Sequence, residues 1–123
     1  MKRITMMLAL LVLSLGLYAA NVNPIATAFT NGNASALENN MDQEVDLSLT
    51  SLTKSCPGSE AIQLLSNFFS ANKPSGFTVV HQAEKKTTGF YVGKLSCGQF
   101  TYRVNITYKI AGDSILIQSI RIE

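Results

Sequence analysis

The two cysteines of the chain, Cys56 and Cys97, are its first candidates for chemistry. They lie 41 positions apart, so they do not form the Cys-x-x-Cys pair typical of thioredoxin-like redox proteins. Two cysteines and one histidine are also too few ligands for a structural zinc site, so we expect no metal and no cofactor. Three interpretations remain: a disulfide between Cys56 and Cys97, two inert thiols, or a reactive Cys56 whose pKa a helix N-terminus lowers.

His81 and Tyr102 are the candidates for acid–base chemistry in a pocket. His81 shares the alternation of Phe77 and Val79 in the stretch FTVVHQ, which predicts that all three side chains lie on one face of a strand. The alternative is a histidine at a strand end that has no chemical role. Tyr102 lies on the apolar face of a later strand and would serve catalysis only beside a carboxylate.

Three acidic residues, Asp42, Glu44 and Asp46, crowd the start of a predicted strand. Paired carboxylates act as general acid and base when their environments differ. Glu44 and Asp46 fall on the polar side of an alternating strand, so we interpret this group as a solvated face.

The stretch QFTYRVNITYKI places Arg103, Asn105 and Lys109 on the polar face of the longest predicted strand. Its other face is aromatic and aliphatic. We expect the polar face to be either an ordinary solvated surface or a contact surface for another protein. A catalytic arginine is the less favoured alternative.

Residues 1–20 have the layout of a secretory signal peptide. The basic head MKR is followed by an apolar run of about 14 residues and then by the small residues that precede a cleavage site. A membrane anchor is the alternative, but the run is shorter than the ~20 residues that a spanning helix needs. We therefore expect an exported protein, periplasmic or secreted, that has no membrane contact after cleavage.

The charge of the mature chain argues against nucleic-acid binding. Removal of Lys2 and Arg3 with the signal leaves eight of the ten basic residues, against eight acidic ones. Nucleic acids are bound mainly by neutralising phosphates with clustered Lys and Arg, and here the charges are balanced and scattered.

Periodicity predicts the elements that position these residues. Two short helices are expected at 23–31 and 33–40, a strand in EVDLSLTSL, and a longer helix between SCPGSE and Asn72. Four strands then follow, and the last of them, ILIQSIRIE, is apolar enough to lie inside the sheet. The order α-α-β-α-β-β-β-β predicts an α+β fold, in which three helices cover the concave face of a curved antiparallel sheet of about five strands.

This order resembles the nuclear-transport-factor-2-like superfamily, whose curved sheet and helices form a cone. The stretches NGNASAL, VDLSL, NFFSANKPSGFTVVHQ, YVGKL and LIQSIRIE are similar to a family of small exported bacterial proteins known only as a domain of unknown function. The resemblance covers 21–123 and implies one domain over these residues.

The resemblance also carries expectations about contacts. If the first and last strands run side by side, as in the superfamily, Cys56 and Cys97 come near each other and a disulfide is favoured. Members often dimerise through the outer face of the sheet, which implies a homodimer. The superfamily contains isomerases, dehydratases, hydrolases and binding modules. We expect a non-enzymatic module that binds a small molecule or a protein; the alternative is an isomerase- or dehydratase-like enzyme with polar groups in the cone.

Overall fold

The computed structural model describes residues 21–123, so the predicted signal peptide lies outside the described residues. Two α-helices and six strands make up this part of the chain. Their bounds are α1 Asn23–Asn31, a 3₁₀ helix Ala34–Leu37, β1 Met41–Leu49, β2 Leu52–Pro57, α2 Gly58–Ala71, β3 Gly76–Glu84, β4 Thr88–Cys97, β5 Phe100–Ala111 and β6 Ser114–Ile122.

Local sequence explains the helical corner at the start. Pro24 lies in the first turn of α1, and Gly32 ends the helix in the left-handed conformation at φ +64°. The second predicted helix is only the short 3₁₀ helix, which the Asn33 side chain caps by accepting a hydrogen bond from the Ser35 amide. Residues 21–123 therefore contain two α-helices where three helices were expected.

The prediction of one strand before α2 was wrong. The chain turns back after Leu49 and forms β2, so that β1 and β2 are an antiparallel hairpin. Only Cys56 is buried in β2, because this strand lies at the edge of the sheet with most of its side chains exposed. Its sequence, LTKSCP, lacks an apolar alternation and ends in the proline that an edge strand tolerates.

The six strands form one sheet in the order β2-β1-β6-β5-β4-β3. β6 lies inside the sheet, as expected, because its isoleucines are buried. It pairs in parallel with β1, whereas all other neighbours are antiparallel. The expected five-stranded, fully antiparallel sheet is corrected to a mixed sheet of six strands.

Aromatic rings fill the face of the sheet on which the helices pack, here called the inner face. Phe77 stacks between Phe29 of α1, at 5.3 Å between ring centroids, and Tyr91 of β4, at 6.2 Å. Phe69 of α2 meets Phe29 edge to face at 5.3 Å. The Phe77 ring lies over Gly93, where a Cβ atom would stand 2.3 Å from it. The inner face, which is the concave side of the sheet, is thus part of a packed core.

Candidate functional site

Cys56 and Cys97 are both buried and both free, which corrects the predicted disulfide. Strands β1, β6 and β5 separate β2 from β4. Four strand spacings of roughly 4.8 Å place the two cysteines about 19 Å apart along the sheet, whereas a disulfide needs Cα atoms about 4.4–6.8 Å apart. β1 and β6 do lie side by side, as the resemblance implied. After β1, however, the chain turns back, and the unpredicted β1–β2 hairpin places Cys56 opposite Val45 in the middle of β1.

The thiols are also unsuited to nucleophilic chemistry. Burial raises the pKa of the Cys56 thiol, and the nearby Glu60 carboxylate raises it further. Burial likewise raises the pKa of Cys97. A reactive cysteine needs a lowered pKa, so the structure favours the interpretation of two inert thiols that pack in the core.

His81 lies on the outer face of the sheet, whereas the sequence predicted that it shares a face with Phe77 and Val79. A bulge between Val79 and His81 inserts Val80 and reverses the alternation of β3. His81 is therefore paired with Val92, exposed, and in edge contact with Phe90 at 5.5 Å between ring centroids. It cannot act in a pocket on the concave side.

Tyr102 lies on the inner face, where it is half-buried and already engaged. Its ring packs edge to face on Phe68 at 5.4 Å, and its hydroxyl donates a hydrogen bond to Asn72 Oδ1 at 3.1 Å. This contact ties β5 to the end of α2. Within residues 21–123, no buried side-chain nitrogen or oxygen lacks a hydrogen-bond partner.

A second polar group, which the sequence analysis missed, links β5 to β3. The Tyr108 hydroxyl donates to Glu84 Oε2 at 2.8 Å and accepts from Gln82 at 3.4 Å. Burial and the bond to Glu84 raise the pKa of Tyr108 to about 12, so this phenol is neutral at ordinary pH. Gly89 permits the arrangement, because a Cβ there would lie 2.3 Å from the Tyr108 ring. The alternation of β5 predicts that Tyr108 faces the core, but it does not identify Glu84 and Gln82 as its hydrogen-bond partners.

The acidic residues at the start of β1 do not form a catalytic pair. Asp46 accepts a hydrogen bond from Ser55 on β2, and Glu44 is exposed. Asp42 accepts from Gln118 at 3.3 Å and lies 3.9 Å from the Lys109 ammonium. The backbone amide of Gln43 and then the Gln118 side chain lower the pKa of Asp42. These contacts fit the predicted solvated face.

Arg103 and Asn105 lie on the outer face of β5, together with Lys109. The alternate residues Val104, Ile106 and Tyr108 are buried on the other side. The predicted alternation of this strand is therefore confirmed. A role for its polar face in contacts stays a prediction.

Lys94 of β4 is the outer-face residue that the sequence analysis overlooked. It is the direct cross-strand partner of Arg103 in the β4–β5 hairpin. The tight turn at Gly98 sets this register, so the turn signal together with the alternation of β4 was enough to find it. The pair places two cations side by side on the outer face.

The Lys94–Arg103 pair borders an open depression of about 360 Å³, here called the basic depression. Its lining includes Val80, Val92, Lys94, Thr101, Arg103 and Glu123. Val92 is only 4% exposed although it lies outside the hydrophobic core, so the outer face has a small apolar floor of its own. In contrast, Val80 is 55% exposed and Phe90 38%. Exposed apolar side chains of this kind, grouped and rimmed by charges, are typical of contact surfaces.

The ion pairs within residues 21–123 involve basic residues other than Lys94 and Arg103. Arg121 lies 3.6 Å from Glu123, Lys109 pairs with Asp42, and Lys54 pairs with Glu60. Lys94 and Arg103 form none. Over the same residues, no cluster of three potential metal ligands occurs, and no helix is long and apolar enough to cross a membrane.

The described residues, a mixed sheet of six strands with two helices packed on one face, have the nuclear-transport-factor-2-like fold. An NTF-2 like protein of unknown function from Silicibacter pomeroyi is similar at a TM-score of 0.59 and 13% identity, over 94% of this chain and 96% of that one. At that identity the likeness shows the fold alone.

The family itself follows from the sequence match. The profile of the family described as Domain of unknown function DUF4783 matches residues 22–123, so the chain belongs to this family. A family member from Bacteroides uniformis is 29% identical, with a TM-score of 0.78 over 84% of this chain and 96% of that one. One from Bacteroides ovatus is 32% identical, with a TM-score of 0.74 over 80% and 89%. No curated protein matches the chain.

Proposed function

We propose that this protein is a small exported, non-enzymatic module that binds a protein partner through the outer face of β3, β4 and β5. The observation that carries the proposal is the apolar floor at Val92, with exposed Val80 and Phe90 beside it. Such side chains gain free energy when a partner removes them from water, at about 25 cal/mol per Å² of apolar surface. Export rests on the layout of residues 1–20.

The packing of the concave side supports a non-enzymatic role. Catalysis in a cone needs a cavity in which polar groups converge on a substrate. Here the rings of Phe29, Phe69 and Phe77 occupy that space, His81 points outward, and the Tyr102 hydroxyl is bonded to Asn72. An isomerase- or dehydratase-like enzyme would instead have to use the Tyr108–Glu84 pair, which lies where β3 ends.

Site-specific crosslinking tests the proposal. A photoreactive phenylalanine analogue replaces Phe90 on the outer face or, as the matched control, the exposed Ser66 on α2. We expect irradiation of living cells to yield a crosslinked partner from position 90 and none from position 66. The partner, once identified and purified, should bind the unmodified protein, and Val80→Asp should weaken that binding.

Two results would count against this function. A crosslinked dimer of the chain itself would favour the homodimer expected from the resemblance, and light scattering would then give twice the monomer mass. Turnover of a small molecule that Glu84→Gln abolishes, without loss of the fold, would favour the enzyme.

A further inference from the structure

We infer that the basic depression binds carboxylate side chains, so that the partner segment seated there is acidic and carries apolar residues. This inference rests on the proposed function and names the chemistry of the partner. Lys94 and Arg103 are direct cross-strand partners on the outer face, where side chains lie about 4.5–5.5 Å apart at Cβ. Like charges in this position repel each other, and an anion between them would relieve the repulsion.

Within residues 21–123, no carboxylate forms an ion pair with either of these two cations. The ion pairs of residues 21–123 involve other basic residues, and residues 1–20 contain no Asp or Glu. Glu123 lines the depression and exchanges two backbone hydrogen bonds with Arg103, so it lies beside Arg103 on the neighbouring stretch of chain, but its side-chain carboxylate forms its ion pair with Arg121, 3.6 Å away. We therefore assign the anion between Lys94 and Arg103 to a partner.

The shape of the depression favours a protein segment over a small carboxylic acid. Its volume, about 360 Å³, is at the low end for ligand pockets, which enclose most of their ligand. This one is open on a sheet face, with the exposed Phe90 and Val80 nearby. Side chains of a larger partner can cover that area, and arginine suits carboxylates because its fork donates two parallel hydrogen bonds.

Nucleic acid fits the same cations less well. The mature chain is formally neutral, and Lys94 and Arg103 form a pair and not the extended basic stripe that phosphate backbones need. Carboxylates on a short segment match two adjacent cations and an apolar floor.

Fluorescence anisotropy tests the inference with the protein purified as the cell processes it. The probe is a labelled nine-residue peptide in which Glu alternates with Val; the matched peptide has Gln in place of Glu. We expect the Glu peptide to bind at least tenfold more tightly, and less tightly as salt rises. Lys94→Glu and Arg103→Glu should each weaken binding about tenfold, whereas Lys73→Glu, an exposed cation elsewhere, should change it less than twofold.

Lys94→Gln and Arg103→Gln provide a second pair of variants that introduce no repulsion toward the peptide. Any of four results would overturn the inference. The two peptides bind equally tightly, or Lys73→Glu weakens binding as much as the changes at Lys94 and Arg103 do. Alternatively, laurate or an oligonucleotide binds more tightly than the Glu peptide, or the Glu peptide does not bind at all. Failure of the proposed function gives a different result. If the partner crosslinked at position 90 still binds Lys94→Glu and Arg103→Glu unchanged, the outer face is a partner site but carboxylate recognition is wrong.

Discussion

Gly93 is the position at which one added methyl group would test the packing of the concave face. A Cβ atom there would stand 2.3 Å from Cζ of Phe77 and 3.1 Å from the carbonyl oxygen of Thr78. Carbon atoms pack at about 3.5–4.0 Å, so the ring would have to withdraw by more than about 1 Å. It cannot do so freely, because Phe29 and Tyr91 hold it on either side.

We expect Gly93→Ala to lower the free energy of unfolding by about 2 kcal/mol, in the range of overpacked cores. For a domain of this size that corresponds to a fall in Tm of roughly 10 °C. Urea denaturation followed by circular dichroism measures the change. Gly76→Ala is the matched control on the neighbouring strand, since a Cβ there meets nothing within 4 Å. It should leave stability unchanged or raise it slightly.

A double-mutant cycle identifies the ring as the cause. Phe77→Leu removes the atoms that collide, so the double variant Gly93→Ala/Phe77→Leu should lose at least ~1 kcal/mol less than the two single losses together. If Gly93→Ala is no more harmful than Gly76→Ala, or if the two losses simply add, the inner face is not packed as described. The concave side would then have room for a ligand, as an enzyme of this fold requires.

Four further predictions follow from the remaining sites. Lys94→Glu should raise the free energy of unfolding by up to about 1 kcal/mol, because it converts the repulsive pair with Arg103 into an ion pair; a loss in urea denaturation would contradict this. Because the pKa of Tyr108 is raised above its ordinary value of 10 to about 12, its stabilising contribution is complete below pH 10 and is lost between pH 10 and about 12. Tyr108→Phe should therefore remove the latest phenol in an alkaline absorbance titration and reduce the loss of stability in that range; an unchanged titration would refute the assignment. Cys56 and Cys97 should react with a thiol reagent only after denaturation, and prior reduction should not alter the electrophoretic mobility; a mobility change would restore the disulfide. N-terminal sequencing of the protein from its host should begin near residue 21, whereas an intact N-terminus in the membrane fraction would refute export.

Regular periodicity was the part of the sequence that predicted structure well. α2 and β5 have strong patterns, of period 3.6 and 2, because one side of each is buried over most of its length, although Phe100 at the start of β5 is exposed. β2 has no such pattern, since it lies at the edge and buries only Cys56. Because β2 was not predicted, Cys56 was expected just after the end of β1, and the predicted disulfide depended on that position.

The site was harder to predict, because it depends on registers between strands. A single inserted residue, Val80, moved His81 from the inner to the outer face, and no local signal in FTVVHQ marks that bulge. The Lys94–Arg103 pairing was accessible, since the turn at Gly98 fixes it, but it requires reading two strands together. The Tyr108–Glu84 bond joins strands that are not neighbours in the sheet, so only the folded structure reveals it.

The position of β6 between β1 and β5 determines when the molecule can finish folding. β3, β4 and β5 can pair as each emerges, but β1 pairs with β6, for example at Met41 and Ile117, and so waits for the latest strand. Contacts between such distant residues form slowly, because a long loop must close first. As the chain emerges during synthesis, the β1–β2 hairpin therefore lacks its neighbour in the sheet until β6 has also emerged.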